Sequence, residues 1–67
     1  SQLPVASNVK LVVYDVLGRE VAVLVDERRA AGQYQDNFDG SGLASGMYIY
    51  RLKAGSFVQS RTMLLLK

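Results

Sequence analysis

Histidine and cysteine are both missing from these 67 residues. With them go the commonest general base, the commonest zinc ligand, every disulfide and every thiolate metal site. No catalytic residue, cofactor or metal site is therefore expected. The lack of cysteine leaves the redox compartment open, because it suits cytosol and exterior alike. Long apolar runs are missing too: the longest span about five residues, against the roughly 20 needed to cross a bilayer, so no membrane span is expected. The opening SQLPVASN has no charged stretch followed by an apolar core, and no signal peptide is read there. Charge of one sign is also scarce. Eight Lys and Arg against six Asp and Glu leave a net charge of +2, and the basic residues are dispersed, so no nucleic acid partner is expected. The one basic pair, Arg28-Arg29, reads as a solvated turn. The single proline, Pro4, cannot donate to a ladder and marks residues 1–7 as an edge or lead-in.

What is present is strand. A chain of this length makes one domain, residues 1–67, that buries only about 60% of its unfolded surface. Residues 8–15 alternate Val9, Leu11 and Val13 with Lys10, Val12 and Tyr14, a strand with one well-buried side. A turn centred on Gly18 leads to a second strand over residues 20–25, where Val21, Val23 and Val25 alternate with Ala22 and Leu24. Residues 26–31, DERRAA, read as a charged connecting loop. A third strand is expected over 33–39, with Tyr34 and Phe38 on one face and Asp36 in conflict beside them. Residues 39–42, DGSG, form a turn, Leu43 is an isolated apolar plug, and a bend follows at Gly46.

Residues 43–67 carry the longest pattern, two strands joined by a tight turn at Ala54-Gly55-Ser56. Tyr48, Tyr50 and Leu52 share one face, and Met47, Ile49, Arg51 and Lys53 the other. Tyr48, just after Gly46, stands where a tyrosine-corner residue would. The run Met63-Leu64-Leu65-Leu66 is apolar on both faces and is expected within a buried layer. Arg51, Lys53 and Arg61 are read as a basic stripe across this hairpin. Turn signals every 8 to 12 residues without an amphipathic helix indicate an all-β protein, a sandwich or partly closed barrel. The predicted core is Val9, Leu11, Val13, Val21, Leu24, Phe38, Leu43, Tyr48, Tyr50 and Leu52.

The chemistry of single sites is sparse. Asp36 and Asp39 sit three apart on an extended segment, so they point to opposite faces and make no acid–base pair. Asp39 with Ser41 can form an Asx-turn or hold a hard cation such as calcium, and the Asx-turn is preferred. The glycines at 40, 42 and 46 fit neither the dinucleotide nor the P-loop spacing. The tyrosines and phenylalanines can form a stacking platform for sugars, or serve as ordinary core.

Taken in order, the segments VKLVVYDVLGREVAVLVD (9–26), AGQY (31–34), FDGSGLASGMYIYRLKAG (38–55) and RTMLLLK (61–67), preceded by Leu3-Pro4, resemble the type A C-terminal sorting domain of the type IX secretion system of Bacteroidetes. The resemblance implies an immunoglobulin-like antiparallel β-sandwich of about six to seven short strands, related to domains of flagellar hook-capping proteins. Its first strand looks truncated here. It further implies a non-catalytic export signal on an N-terminal passenger domain, passing through the periplasm to the cell surface or medium. The implied partners are the outer-membrane type IX secretion machinery and a sortase-like peptidase. Residues carried over as sorting or partner-binding candidates are Gly46, Tyr48, Arg51, Lys53, Arg61, Met63, Leu64, Leu65, Leu66 and Lys67, with Gly18, Asp39 and Leu43 as structural positions. Asp36 departs from the family's apolar preference. A truncated first strand would leave an open sheet edge, from which edge-strand self-association is expected. The alternative reading is an immunoglobulin-like structural, adhesive or carbohydrate-binding accessory module of a secreted hydrolase, the last using exposed tyrosines.

Overall fold

The computed structural model describes residues 2–3, 5–35 and 38–67. Six strands are present among them: β1 (Gln2–Leu3), β2 (Ser7–Asp15), β3 (Glu20–Arg29), β4 (Gly32–Gln33), β5 (Gly46–Ala54) and β6 (Phe57–Leu65). The four long strands make one antiparallel sheet in the order β3-β2-β5-β6, and β1 and β4 pair separately. No helix occurs among the described residues. The all-β antiparallel expectation is thus borne out as a small, sandwich-like domain, a four-stranded antiparallel sheet with the short β1–β4 pair beside it in the chain.

Alternation in β2 and β5 decides which face is covered. Their register puts Val9 opposite Ala54, Leu11 opposite Leu52 and Val13 opposite Tyr50, so these side chains stand together on one face. Val9, Val13, Tyr48 and Ala54 are buried there, and Val13 is 0% exposed. Tyr34 packs on this cluster from the chain beyond β4. Phe38 lines an open cleft of about 290 Å³ together with Leu11, Val13, Tyr50 and Met63.

Of the predicted core, Leu11, Val21, Leu24, Phe38, Leu43, Tyr50 and Leu52 are half-buried. Val12 and Val25 were not on that list and are buried, at 3% and 4% exposure. Val12 occupies the second face, where it sits between its cross-strand partners Val23 and Arg51. A strand in the middle of a sheet has neighbours on both sides, so a small side chain is shielded even where no layer lies above. Val25 and Leu24 reach the core together because the β2–β3 register shifts between Leu11 and Val12, which leaves Leu24 as an extra residue. Val23 is consequently turned outward and 46% exposed.

Four expectations need correction. The charged stretch after Val25 is no loop: β3 runs on to Arg29, pairing Asp26 with Lys10 and Arg29 with Ser7. An edge strand tolerates such charges, and the β2 ladder supplies their backbone partners. Arg28-Arg29 is accordingly in a strand and not a turn. The strand expected over 33–39 shrinks to Gly32–Gln33; Asp36, with its expected conflict, lies outside the described residues, as does Pro4. The run 63–66 is not inside a layer. It closes the outermost strand, with Leu64 59% and Leu66 77% exposed and only Met63 and Leu65 half-buried.

Val13→Ala removes two methyl groups from the best-buried position and is expected to cost about 2 to 3 kcal/mol. Val23→Ala on the open face should cost well under about 1 kcal/mol. Thermal denaturation of the two variants side by side checks which face is the core.

Candidate recognition surface

Turn chemistry fixes the ends of the strands. Asp15 Oδ1 accepts from the Leu17 and Arg19 amides, both at 2.9 Å, and Oδ2 accepts from Arg19 Nε at 2.7 Å. Gly18, at φ 82, takes the left-handed conformation inside this loop. These donors, the Arg19 amide foremost, hold the Asp15 carboxyl below its ordinary pKa. At Asp39 the preferred Asx-turn is present: Oδ1 accepts from the Ser41 amide at 3.0 Å. That bond, with help from the Lys67 charge, also lowers the Asp39 pKa. Among the described residues no three carboxylates or other ligands converge on a metal position.

The loop 38–45 and the chain end are tied into one unit. Leu43 N–H donates to the Gly40 carbonyl at 3.0 Å, and Leu43 is half-buried. Tyr48 hydroxyl donates to the Ala44 carbonyl at 2.6 Å, which is the bond a tyrosine corner makes to the backbone just upstream. Gly40 lies so close to Leu65 that a Cβ there would stand 3.0 Å from both Leu65 methyl groups. Lys67 donates from its backbone N–H to Ser45 Oγ at 3.1 Å and from Nζ to the Ser41 carbonyl at 2.8 Å.

The sorting candidates therefore fall into distinct settings. Gly46, Tyr48, Met63 and Leu65 belong to the covered side or to the entry of β5: Gly46 pairs with Leu65, and the buried Tyr48 with Met63. Arg51, Lys53 and Leu64 point to the open face. Arg61 does not join Arg51 and Lys53 in a stripe, because it pairs with Tyr50 and shares that residue's face, whereas Arg51 pairs with Ser60. Leu66 is exposed, and Lys67 is held by the loop. The open face also carries Val23, Met47, Ile49 and Val58, 39–52% exposed. Sequence reasoning did not single these out; the alternation that placed Met47 and Ile49 opposite Tyr48 was the available signal.

The tyrosines provide no open stacking platform. Tyr48 is buried, and Tyr14, Tyr34 and Tyr50 are half-buried. Arg51 lies 5.8 Å from the Tyr14 ring centroid and Arg29 4.6 Å from that of Tyr34, and the Tyr34 hydroxyl bonds the Ala30 carbonyl.

A family model described as the secretion system C-terminal sorting domain matches residues 2–66. The chain belongs to that family. No curated protein and no solved structure matches it significantly. The sorting domain is a C-terminal signal for type IX secretion, a non-catalytic role that directs the protein carrying it to the cell surface or extracellular space. Membership implies interaction with the type IX machinery and a passenger preceding the domain. No helix among the described residues is long and apolar enough to cross a membrane.

Two outcomes test these anchors. Tyr48→Phe keeps the ring and loses the bond to Ala44, for an expected cost of about 1 kcal/mol, which a melting curve registers as a drop of about 4 to 8 °C in a domain this small. Asp15 stabilises the fold while it is ionised, because its folded pKa lies below the unfolded value near 3.8. Its contribution is complete above that value and fades as pH falls through the folded pKa. Asp15→Asn should therefore destabilise at neutral pH and flatten the acid limb of the stability curve below about pH 4.

Proposed function

We propose that the type IX machinery reads the β5–β6 hairpin on its open face, with Arg51 and Lys53 at one end and Met47, Ile49 and Leu64 at the other. The observation that carries this reading is the gradient along that face. Met47, Ile49 and Leu64 lie near the β5 entry and the end of β6, and Arg51, Lys53 and Lys10 gather toward the Gly55 turn, with the exposed Val58 beside Lys53. A partner that meets it presents an apolar strip ending in carboxylates, and the outer-membrane component of the machinery is that partner. Gly46, Tyr48, Met63, Leu65 and Lys67 then act by holding the hairpin and the loop 38–45 in shape, with Leu66 beside the reading face and Arg61 on the opposite face. A sortase-like peptidase acts on the passenger junction after export, and the domain itself carries no enzymatic activity. The immunoglobulin-like relation of the fold belongs to this same reading. The carbohydrate-binding alternative has less support, since it needs exposed tyrosines.

The test is export of an inert reporter fused ahead of the domain in a type IX secreting host. The intact domain is expected to deliver it to the surface. Deletion of 62–67, which removes the ladder partners of residues 46–49, should leave it in the periplasm. Arg51→Glu with Lys53→Glu separates reading from folding: the melting temperature should stay within a few degrees while export falls at least about tenfold, roughly 1.4 kcal/mol of lost recognition. Unchanged export of the folded double variant would remove the open face from the reading.

A further inference from the structure

The two outer strands of the four-stranded sheet are protected very differently. β3 has two register shifts against β2 and carries Glu20, Asp26, Glu27, Arg28 and Arg29, the bulges and charges that discourage edge pairing. β6 runs nine residues opposite β5 without a shift, has no proline, and has Arg61 as its one charge. Among the described residues no strand pairs with its outer side.

The turn before β6 settles which of its backbone groups point outward. Gly55 is at φ 61, and no described non-glycine residue has a positive φ. A positive φ at the first central position alone is the pattern of a type II′ turn, which closes with its flanking residues, here Ala54 and Phe57, hydrogen-bonded. Bonded and non-bonded rungs alternate in an antiparallel ladder. Phe57, Gln59, Arg61, Met63 and Leu65 therefore direct their N–H and C=O groups at β5. Val58, Ser60, Thr62 and Leu64 direct theirs outward.

We propose that this edge docks a second copy of the chain, β6 antiparallel to β6, about a two-fold axis at Ser60, joining two four-stranded sheets into one. A two-fold axis must match outward residues with outward residues, and three registers do so while keeping most of the strand paired, centred on Ser60, on Arg61 or on Thr62. Centring on Thr62 sets the Arg61 guanidinium opposite Met63 and leaves the exposed Phe57 and Val58 outside the contact. Centring on Arg61 sets that guanidinium opposite its own copy, which is unfavourable. Centring on Ser60 sets Ser60 opposite Ser60, Val58 opposite Thr62, Arg61 opposite Gln59 and Phe57 opposite Met63 of the second copy. Each match is compatible, and the last places a thioether beside an aromatic ring. Within one chain, with the Gln59 amide oriented oxygen toward the guanidinium, Arg61 already donates to it at 2.7 and 3.1 Å, so the cross-axis contact repeats a pairing that these side chains already make. The contact also covers Phe57 and Val58, 55% and 52% exposed.

The chain has no cysteine, so Ser60→Cys installs a single thiol. At a bonded rung on the axis the two Cα atoms stand about 5.5 Å apart, within disulfide range. Under mild oxidation Ser60→Cys should give covalent dimer in several-fold higher yield than Arg61→Cys or Thr62→Cys. The unsubstituted chain should show a concentration-dependent monomer–dimer equilibrium by sedimentation. Ser60→Pro deletes an outward N–H and leaves the β5 ladder intact, so it should abolish the dimer and keep a cooperative melt. A chain that stays monomeric across the concentration series overturns the proposal. So does cross-linking that is equal at the three positions or greatest at Arg61 or Thr62, or a dimer that survives Ser60→Pro. These measurements need no secreting host, so their result is independent of the export test.

Discussion

The placement of β2 between β3 and β5 is the constraint on which the rest of this domain depends. A 67-residue chain without cysteine has no disulfide to staple it and draws its stability from one shared apolar layer. Only a strand paired on both sides can contribute to such a layer along its whole length. Val13 is fully buried and Val12 nearly so, on opposite faces of the same strand. Every other buried residue is either on β2 or directly across from it: Ser7 and Val9 are on the strand, Val25 faces Leu11, Ala54 faces Val9 and Tyr48 faces Asp15.

The second organising feature closes the open end of that layer. Loop 38–45 lies against the end of β6 because Gly40 lacks a Cβ where the Leu65 methyl groups sit. The Tyr48 hydroxyl and both nitrogens of Lys67 then satisfy carbonyls and a hydroxyl of the same loop. Residues that a family resemblance marks as signal are in this way also the residues that give the hairpin its shape. A recognition event that depends on the form of the hairpin will be sensitive to them even if the partner touches none of them, and substitutions need a measured fold before any loss of export is assigned to reading.

Much of the local structure was legible in the sequence. The inward sets Val9, Leu11, Val13 and Tyr48, Tyr50, Leu52 follow from alternation alone, and the turns at Gly18, Asp39 and Gly55 follow from residues whose side chains, or lack of one, select a backbone conformation. Interactions within four or five residues decide these features. The bulge at Leu24 was not legible, because the alternating valines of β3 look uniform and only pairing with β2 reveals the extra residue. Nor was the extension of β3 to Arg29, where composition favours a loop and the ladder to residues 7–10 prevails.

The candidate surface illustrates the boundary most clearly. Reading the last turn as three residues, Ala54-Gly55-Ser56, puts Arg61 on the face of Arg51 and Lys53. The turn has two residues, Gly55 and Ser56, so Ala54 pairs with Phe57 and all of β6 is rotated to the opposite parity. A one-residue change in register moves every side chain of a strand to the other face. By itself the sequence determined the central parts of the four long strands, the turns at Gly18 and Asp39, the covered side of β2 and β5, and the family. Register, strand order and, among the described residues, the lack of a second layer over the outer face were decided by tertiary structure, because each depends on pairings between residues far apart in the chain, which local composition does not encode.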